Sequence, residues 1–273
     1  MIRVTYALRR RRDMSSEDFH GYWRERHGPL VASYASVLGI RRYVQTHLLP
    51  DDPLNGTLRA AYGTSEDLFD GVAELWLNTE ADRAAAASSA NGREAGMALV
   101  EDESHFIDFS RSIFMFGTEV PQINPVPENL IASPATPIVK FMSFLWQKPE
   151  LSFESSQLHW RMNHGPLVRQ YAQTFGFRRY IQVHRHNTKI ADRMRAARVD
   201  MPDPPVFGHA EIWFDRHEFA AAQGPELEKA FELGVEDTNL FIDLPNSVFF
   251  VGKEHVLVDR PVVTEPIPGP PDI

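Results

Sequence analysis

The 273-residue sequence predicts an α+β fold made of two copies of one βαββαβ unit closed against each other. Three observations carry that expectation. The stretch YWRERHGPLVASYASVLGIRRYVQTH at 22–47 returns as HWRMNHGPLVRQYAQTFGFRRYIQVH at 159–184, so the chain is written twice. Within each copy the hydrophobic periods run strand, helix, strand, strand, helix, strand. Between the copies lies GTEVPQINPVPENLIASPATP, whose prolines cannot continue a helix or a central strand.

The elements follow in order. IRVTYAL alternates with period two, and Ser15 with Asp18 forms a capping box that opens a helix with Phe19, Tyr22 and Trp23 on one face. Pro29, in HGP, is placed to start a fresh turn, so a break is expected between this helix and a short second one. IRRYVQTH and VAELWL alternate again as strands. TEADRAAAASSANGREAGMALV reads as one helix, as does EFAAAQGPELEKAFELG in the second copy, and SIFMFG and SVFFVG close the units. An offset of 137, from Trp23 to Trp160, also relates His27 to His164, Tyr43 to Tyr180, Gln45 to Gln182, His47 to His184 and GVAELWL to GHAEIWF. FIDF at 106–109 matches FIDL at 241–244 after a two-residue shift. The expected organisation is repeat 1 over 1–116, a proline-rich linker over 117–137, repeat 2 over 138–257 and an extended proline-rich tail over 258–273. The βαββαβ order is that of a ferredoxin-like fold.

Composition narrows the function. With 43% hydrophobic residues the chain can bury a large core or two modest ones, and a net charge of -9 argues against a nucleic-acid partner. The run Arg9 to Arg12 reads as a solvated strand end. The chain has no cysteine, which removes disulfides, thiolate nucleophiles and zinc–cysteine sites. The N-terminal apolar stretch precedes the arginines, the reverse of a signal peptide, and no run of eighteen apolar residues occurs. A cytoplasmic protein without a membrane partner is expected. Glycines are scattered with no phosphate-cradling motif, and no nucleotide cofactor is expected. A serine triad has no GxSxG to stand on.

A four-stranded sheet with both helices on one face leaves its other face open. Two copies supply the remedy, since the open faces can meet to form a barrel-like enclosure within one chain. That arrangement resembles the dimeric α+β barrel superfamily, here as a single-chain pseudo-dimer. FHGYWRERHGPLV with GIRRYV and AELWL further resembles the EthD-like family, in both halves. The resemblance implies small proteins, often cofactor-free, that isomerise, dehydrate, cyclise or cleave lactones, aromatic compounds and polyketide-like substrates. A methylmuconolactone-isomerising member is similar in layout, with a histidine matching His27 and a tyrosine matching Tyr43. Its cysteine stands where this chain has Leu75 and Ile212, so any role of that thiol does not carry over.

Strand alternation locates candidate residues. Tyr43, Gln45 and His47, and equally Tyr180, Gln182, His184 and His186, share one face of the second strand of each copy. Glu74 with Trp76, and His209 with Glu211 and Trp213, share a polar and aromatic face of the third strand, whereas Ala73, Leu75 and Leu77 suit packing on helices. Polar groups facing an enclosed space need partners or a ligand. Antiparallel pairing is expected to bring His184 and His186 towards His209 and Glu211, while the first copy has only His47, Leu49, Val72 and Glu74 at those places. The chemistry is therefore expected in the C-terminal half: His184 or His209, paired with Glu211, as general base, and Tyr180 as donor to a developing oxyanion. His27 and His164 close the first helix; they have a structural reading through the helix dipole and a catalytic one through the family resemblance, beside Tyr43.

The HRH and HAE motifs have the form of a metal site, but the first copy lacks it, and no metal or cofactor is expected. Each copy carries a long excursion between its second and third strands; the second, beside the strand ends with His184 and His209, is read as a lid, with Arg193 among its arginines placed to meet an anionic substrate. The expected function is a cofactor-independent lyase, isomerase or dehydratase acting on a small aromatic or polyketide-like molecule. A cofactor-free monooxygenase of phenols and a non-catalytic binder of hydrophobic metabolites are the alternatives. A homo-oligomer remains open.

Overall fold

The computed structural model describes residues 1–64, 67–125 and 130–260. The first copy runs β1 (Ile2–Leu8), α1 (Ser16–Tyr22), a π-helical turn (Trp23–His27), α2 (Gly28–Ser33), β2 (Ile40–Leu48), α3 (Pro53–Tyr62), β3 (Gly71–Leu77), α4 (Glu80–Ser88), α5 (Ala90–Glu103) and β4 (Ile113–Ile123). The second repeats it: β5 (Ile138–Trp146), α6 (Phe153–His159), a π-helical turn (Trp160–His164), α7 (Gly165–Gln170), β6 (Phe177–His186), α8 (Lys189–Ala196), β7 (Val206–Asp215), α9 (Arg216–Ala221), α10 (Pro225–Phe241) and β8 (Val248–Asp259).

The eight strands form one closed antiparallel barrel in the order β1-β3-β2-β8-β5-β7-β6-β4. Each copy supplies a four-stranded sheet, and the sheets join along two seams, β2 with β8 and β4 with β6. Closure removes every free sheet edge within the barrel. The enclosure is thus intramolecular, as the duplication predicts.

Several local expectations are corrected. The helix does not break at HGP. Pro29 lacks the N–H that would meet the carbonyl four residues back, and the helix widens instead: the Gly28 N–H reaches the Trp23 carbonyl, five residues back, and Gly165 does the same to Trp160. Residues 117–123, read as linker, continue β4. Past Gly117 that strand pairs with β6 alone, so Pro121 sits where one side needs no N–H donor. The long alanine-rich helix of the first copy is two helices, divided at Ser89, whose hydroxyl caps α5 by accepting from the Gly92 N–H at 3.0 Å. The second helical stretch is likewise divided, into α9 and α10. Arg9 and Arg10 are not solvated ends: Arg9 donates to the Asp67 carbonyl at 2.8 Å, and the Arg10 backbone N–H to Asp70 at 2.9 Å. β8 extends to Asp259, and the rest of the expected tail, 261–273, lies outside the described residues.

Trp23 and Trp160 are core residues, fully enclosed between helix and sheet. Each ring lies against a glycine of the third strand, Gly71 or Gly208, where a Cβ would meet it at 2.5 and 2.7 Å. Truncating either tryptophan to alanine would cost roughly 3–5 kcal/mol. The two helix-side cores are interlocked across the repeat. Ile190 and Ala191 of the second excursion are buried in the core of the first copy, and Leu54, Leu58 and Tyr62 of the first excursion pack on that of the second.

Candidate active site

Period-two alternation sends Arg3, Thr5, Glu74, Lys140, His209, Glu211 and Trp213 into the barrel interior, where all are buried. There they pair mainly with one another, although Arg3 Nε and His209 Nδ1 are buried without a hydrogen-bond partner among the described residues. Arg3 pairs with Glu74, Glu211 and, at 2.9 Å, Glu119; Lys140 pairs with Glu74 at 2.6 Å and with Glu211 and Glu254 at 3.2 Å. The repeat offset relates Arg3 to Lys140 and Glu74 to Glu211, so the network has the barrel's own two-fold character. Trp76 donates to Glu119 and Trp213 to Glu254, both at 2.8 Å, and Lys140 lies over the Trp213 ring. Burial, with Glu211 and Glu254 nearby, pushes Glu74 up to about 7 although Lys140 and Arg3 oppose it. Burial also acts to raise Glu211, but Arg3 and Lys140 outweigh it and hold that carboxyl well below its ordinary range. His209 bonds Thr5 at 2.9 Å and lies 3.6 Å from Glu211; burial keeps it neutral, its pKa well below the usual histidine value.

The opposite face of each sheet, under the helices, carries a second polar set. Tyr43 accepts from Trp23 Nε1 at 3.2 Å and from Gln45 Nε2 at 2.9 Å; Tyr180 accepts from Trp160 at 3.1 Å and from Gln182 at 3.0 Å. Both lone pairs of each hydroxyl are filled, so its proton is left to donate. Burial raises both phenols far above the ordinary tyrosine value despite those bonds, and they remain protonated donors. The glutamines are fixed in turn. Gln45 and Gln182 also donate to the Trp23 and Trp160 carbonyls at 2.9 Å and take a bond from His47 and His184 at 3.0 Å. These histidines stack on the tryptophans, with centroids 4.4 and 4.6 Å apart. Burial lowers His47 to about 2 and His184 to about 4, so both hold their glutamine as neutral rings.

The π-helical turns deliver His27 and His164 to the same face. His27 Nδ1 lies 2.7 Å from Asp102 and His164 Nδ1 2.8 Å from Asp237. Each aspartate has a second donor, the Tyr22 hydroxyl at 2.8 Å or His159 Nε2 at 2.9 Å. Burial tends to raise these carboxyls, but the hydrogen bonds prevail and hold both below the ordinary aspartate value. They are ionised acceptors, so Nδ1 of each histidine carries the proton and Nε2 is the basic nitrogen.

Two cavities sit between sheet and helices, one per copy. The C-terminal one, of about 130 Å³, is lined by His164, Tyr180 and a shell of Phe141, Phe177, Phe214 and Phe249, and it is closed by Leu58 and Tyr62 of α3. The N-terminal one, of about 70 Å³, is lined by His27 and Tyr43 and closed by Met194 and Arg198 from the second excursion. Each excursion therefore covers the cavity of the other copy.

The family described as EthD domain matches residues 11–110 and 148–245, one segment in each copy. This chain belongs to the EthD-domain family. No curated protein matches it in sequence. Similar solved structures include a "putative monooxygenase" from Lactobacillus acidophilus NCFM, 8% identical over 97% of this chain and 98% of that one, with a TM-score of 0.45. A "putative monooxygenase" from Fusobacterium nucleatum subsp. nucleatum ATCC 25586 is 7% identical over 93% of each chain, at 0.49. The chlorite dismutase of Candidatus Nitrospira defluvii is 14% identical over 94% and 92%, at 0.42.

Within the two EthD repeats, the residues expected to converge are divided by the sheet. His184 is in register with Gly208, and His209 with Val183, so His184 points under the helices while His209 and Glu211 point into the barrel. Strand ends do lie side by side, but only residues of matching parity share a face. The expected base pairing of His184 with Glu211 is therefore not formed. For the same reason HRH and HAE do not converge, and among the described residues no group of three metal-ligating side chains occurs. Glu74, Trp76 and Trp213 belong to the interior charge network; Gln182 and His47 belong to the hydrogen-bond chains under the helices. His186 is exposed and meets Thr118; Arg193 is exposed and turns back on the Lys189 carbonyl at 3.4 Å. His27, His164, Tyr43 and Tyr180 do line cavities. Asp102 and Asp237 went unread, although extending the FIDF and FIDL match backwards at the same shift aligns Val100-Glu101-Asp102 with Val235-Glu236-Asp237.

Proposed function

We propose that the protein is an enzyme of the lyase, isomerase or dehydratase type, working by general acid–base catalysis in the C-terminal cavity on a small aromatic or lactone-like molecule. The observation that carries this is the His164–Asp237 dyad on the wall of a phenylalanine-lined cavity that also holds the Tyr180 hydroxyl. Asp237 fixes the tautomer, and His164 Nε2 takes a proton from an activated carbon or a phenol. Tyr180 donates its free hydroxyl proton as a hydrogen bond to the oxygen on which charge develops. Return of the proton to another carbon completes an isomerisation; departure of a leaving group completes a lyase or dehydratase step. Such help is typically worth ~10²- to 10⁴-fold, enough for activated substrates only. The volume supports a one-ring substrate, since an apolar cavity of about 150 Å³ takes up benzene.

The test is turnover of a panel of phenols, muconolactone-type lactones and small polyketide-like compounds, without oxygen or added cofactor, by wild type and His164→Ala. Turnover lost in the variant supports the proposal. Activity that requires oxygen would favour a monooxygenase, and thermal stabilisation by unchanged compounds a binding module; either replaces it.

A further inference from the structure

The two cavities differ in charge. The C-terminal one is walled by phenylalanines, with Ser143 and Thr238 among its few polar groups; the repeat places Tyr6 and Glu103 at those positions in the N-terminal cavity. Arg83, from α4, lines the N-terminal cavity too, where the repeat has Ala220. Arg198 is fully engaged: it binds Glu103 through two bonds of 2.6 and 2.7 Å and the Met194 carbonyl at 2.7 Å. Arg83 is not. It is 9% exposed, makes no ion pair with any described residue, and its Nη1 is buried without a hydrogen-bond partner. Glu103 is taken up by Arg198, and Arg83 is the lining cation left without a counter-ion among the described residues. A buried charge without a partner is unfavourable, and an anion beside it in the cavity offsets that cost. Tyr43 adds a hydroxyl proton with no acceptor, since Trp23 and Gln45 fill its lone pairs.

We propose that the N-terminal cavity is a second ligand site, for a small monocarboxylate bound to Arg83, with the Tyr43 hydroxyl as a further donor on its wall. Arg83 sets the ligand's valence, because one anionic group pairs with its one guanidinium. Volume sets its size. At ~30 Å³ per water, the cavity has the room of about two waters, which suits formate or acetate and not an aromatic acid. The two halves of the duplication thus divide the work: an apolar cavity for a ring and a cationic one for a short acid.

The experiment is thermal unfolding of the intact protein at neutral pH in millimolar sodium formate or acetate, against sodium chloride at equal ionic strength. A ligand that binds only the folded chain raises Tm saturably. The expected result is a saturable rise with the carboxylates and none with chloride. Arg83→Gln is expected to weaken binding about tenfold to a hundredfold, as for one charged hydrogen bond lost. Leu99→Phe fills the cavity without touching the cation and is expected to abolish binding, with His164-dependent turnover unchanged. No carboxylate effect on wild type, an equal effect of chloride, or an unchanged effect in Leu99→Phe overturns the proposal. Should Arg83→Gln fail to fold, saturation-transfer NMR with acetate on wild type and Leu99→Phe decides.

Discussion

His164 donates its Nδ1 proton to Asp237 across 2.8 Å, and this bond ties the π-helical turn to α10 over the C-terminal cavity. If His164 is the base, His164→Ala should lower kcat/KM by ~10²- to 10⁴-fold with the circular dichroism spectrum unchanged. Asp237→Asn keeps the size but removes the carboxylate that holds the Nδ1 proton and fixes the tautomer. It should lower kcat with KM little changed, whereas loss of packing alone would disturb both. An unchanged kcat would make Asp237 a purely structural partner.

Gly208 and Gly71 separate the halves by another route. A methyl at Gly208 would meet the Val183 carbonyl and the Trp160 ring, and one at Gly71 would meet the Thr46 carbonyl and the Trp23 ring. Both alanine variants should therefore lose roughly 1–3 kcal/mol of stability, measurable by denaturant unfolding. Trp160 positions Tyr180, so only Gly208→Ala should also depress turnover at temperatures where both variants are folded. Equal activity losses would place chemistry in both cavities.

The fold was legible because it rests on repetition and alternation, which a sequence displays directly. Trp23 and Trp160, or Ala73 and Leu75, could be assigned to the helix side from period alone. The site was less legible, because alternation says that residues share a face but not which face of the neighbouring strand meets it. Register decided that: one residue's difference placed Gly208 rather than His209 opposite His184. Arg3 and Lys140 show the same limit, since an isolated cation in a strand reads as solvated until the barrel closes over it. Asp102 and Asp237 lie on helices far from their histidines in sequence and were visible only through the shared VED triplet.

The exchange of covers between the copies gives a further test. Leu58 and Tyr62 of the first copy close the cavity of the second. Leu58→Trp should fill that space and remove binding of one-ring ligands and turnover together, with a folded protein by near-ultraviolet circular dichroism. Binding that persists in the variant would show that the first excursion does not bound the working cavity.

The interior of the barrel predicts a dependence of stability on pH. Glu74 titrates at about 7 in the folded chain against an ordinary value of 4.5, because burial penalises its charged form, with Glu211 adding to the effect. Between those values the native state keeps a proton that the unfolded state has released. Its contribution is therefore fully present below about 4.5, is lost as pH rises through about 7, and is constant above that. His209 acts in the other direction: burial holds it neutral, so its contribution grows as pH rises through the ordinary value of 6.5. The wild-type curve mixes the two, but a comparison with Glu74→Gln cancels the histidine and isolates the carboxylate. Gln resembles the protonated acid at every pH. The Tm of Glu74→Gln minus that of wild type should thus become more positive from about pH 5 to about pH 7 and level off above it, and a difference that stays constant throughout would mean that Glu74 remains ionised.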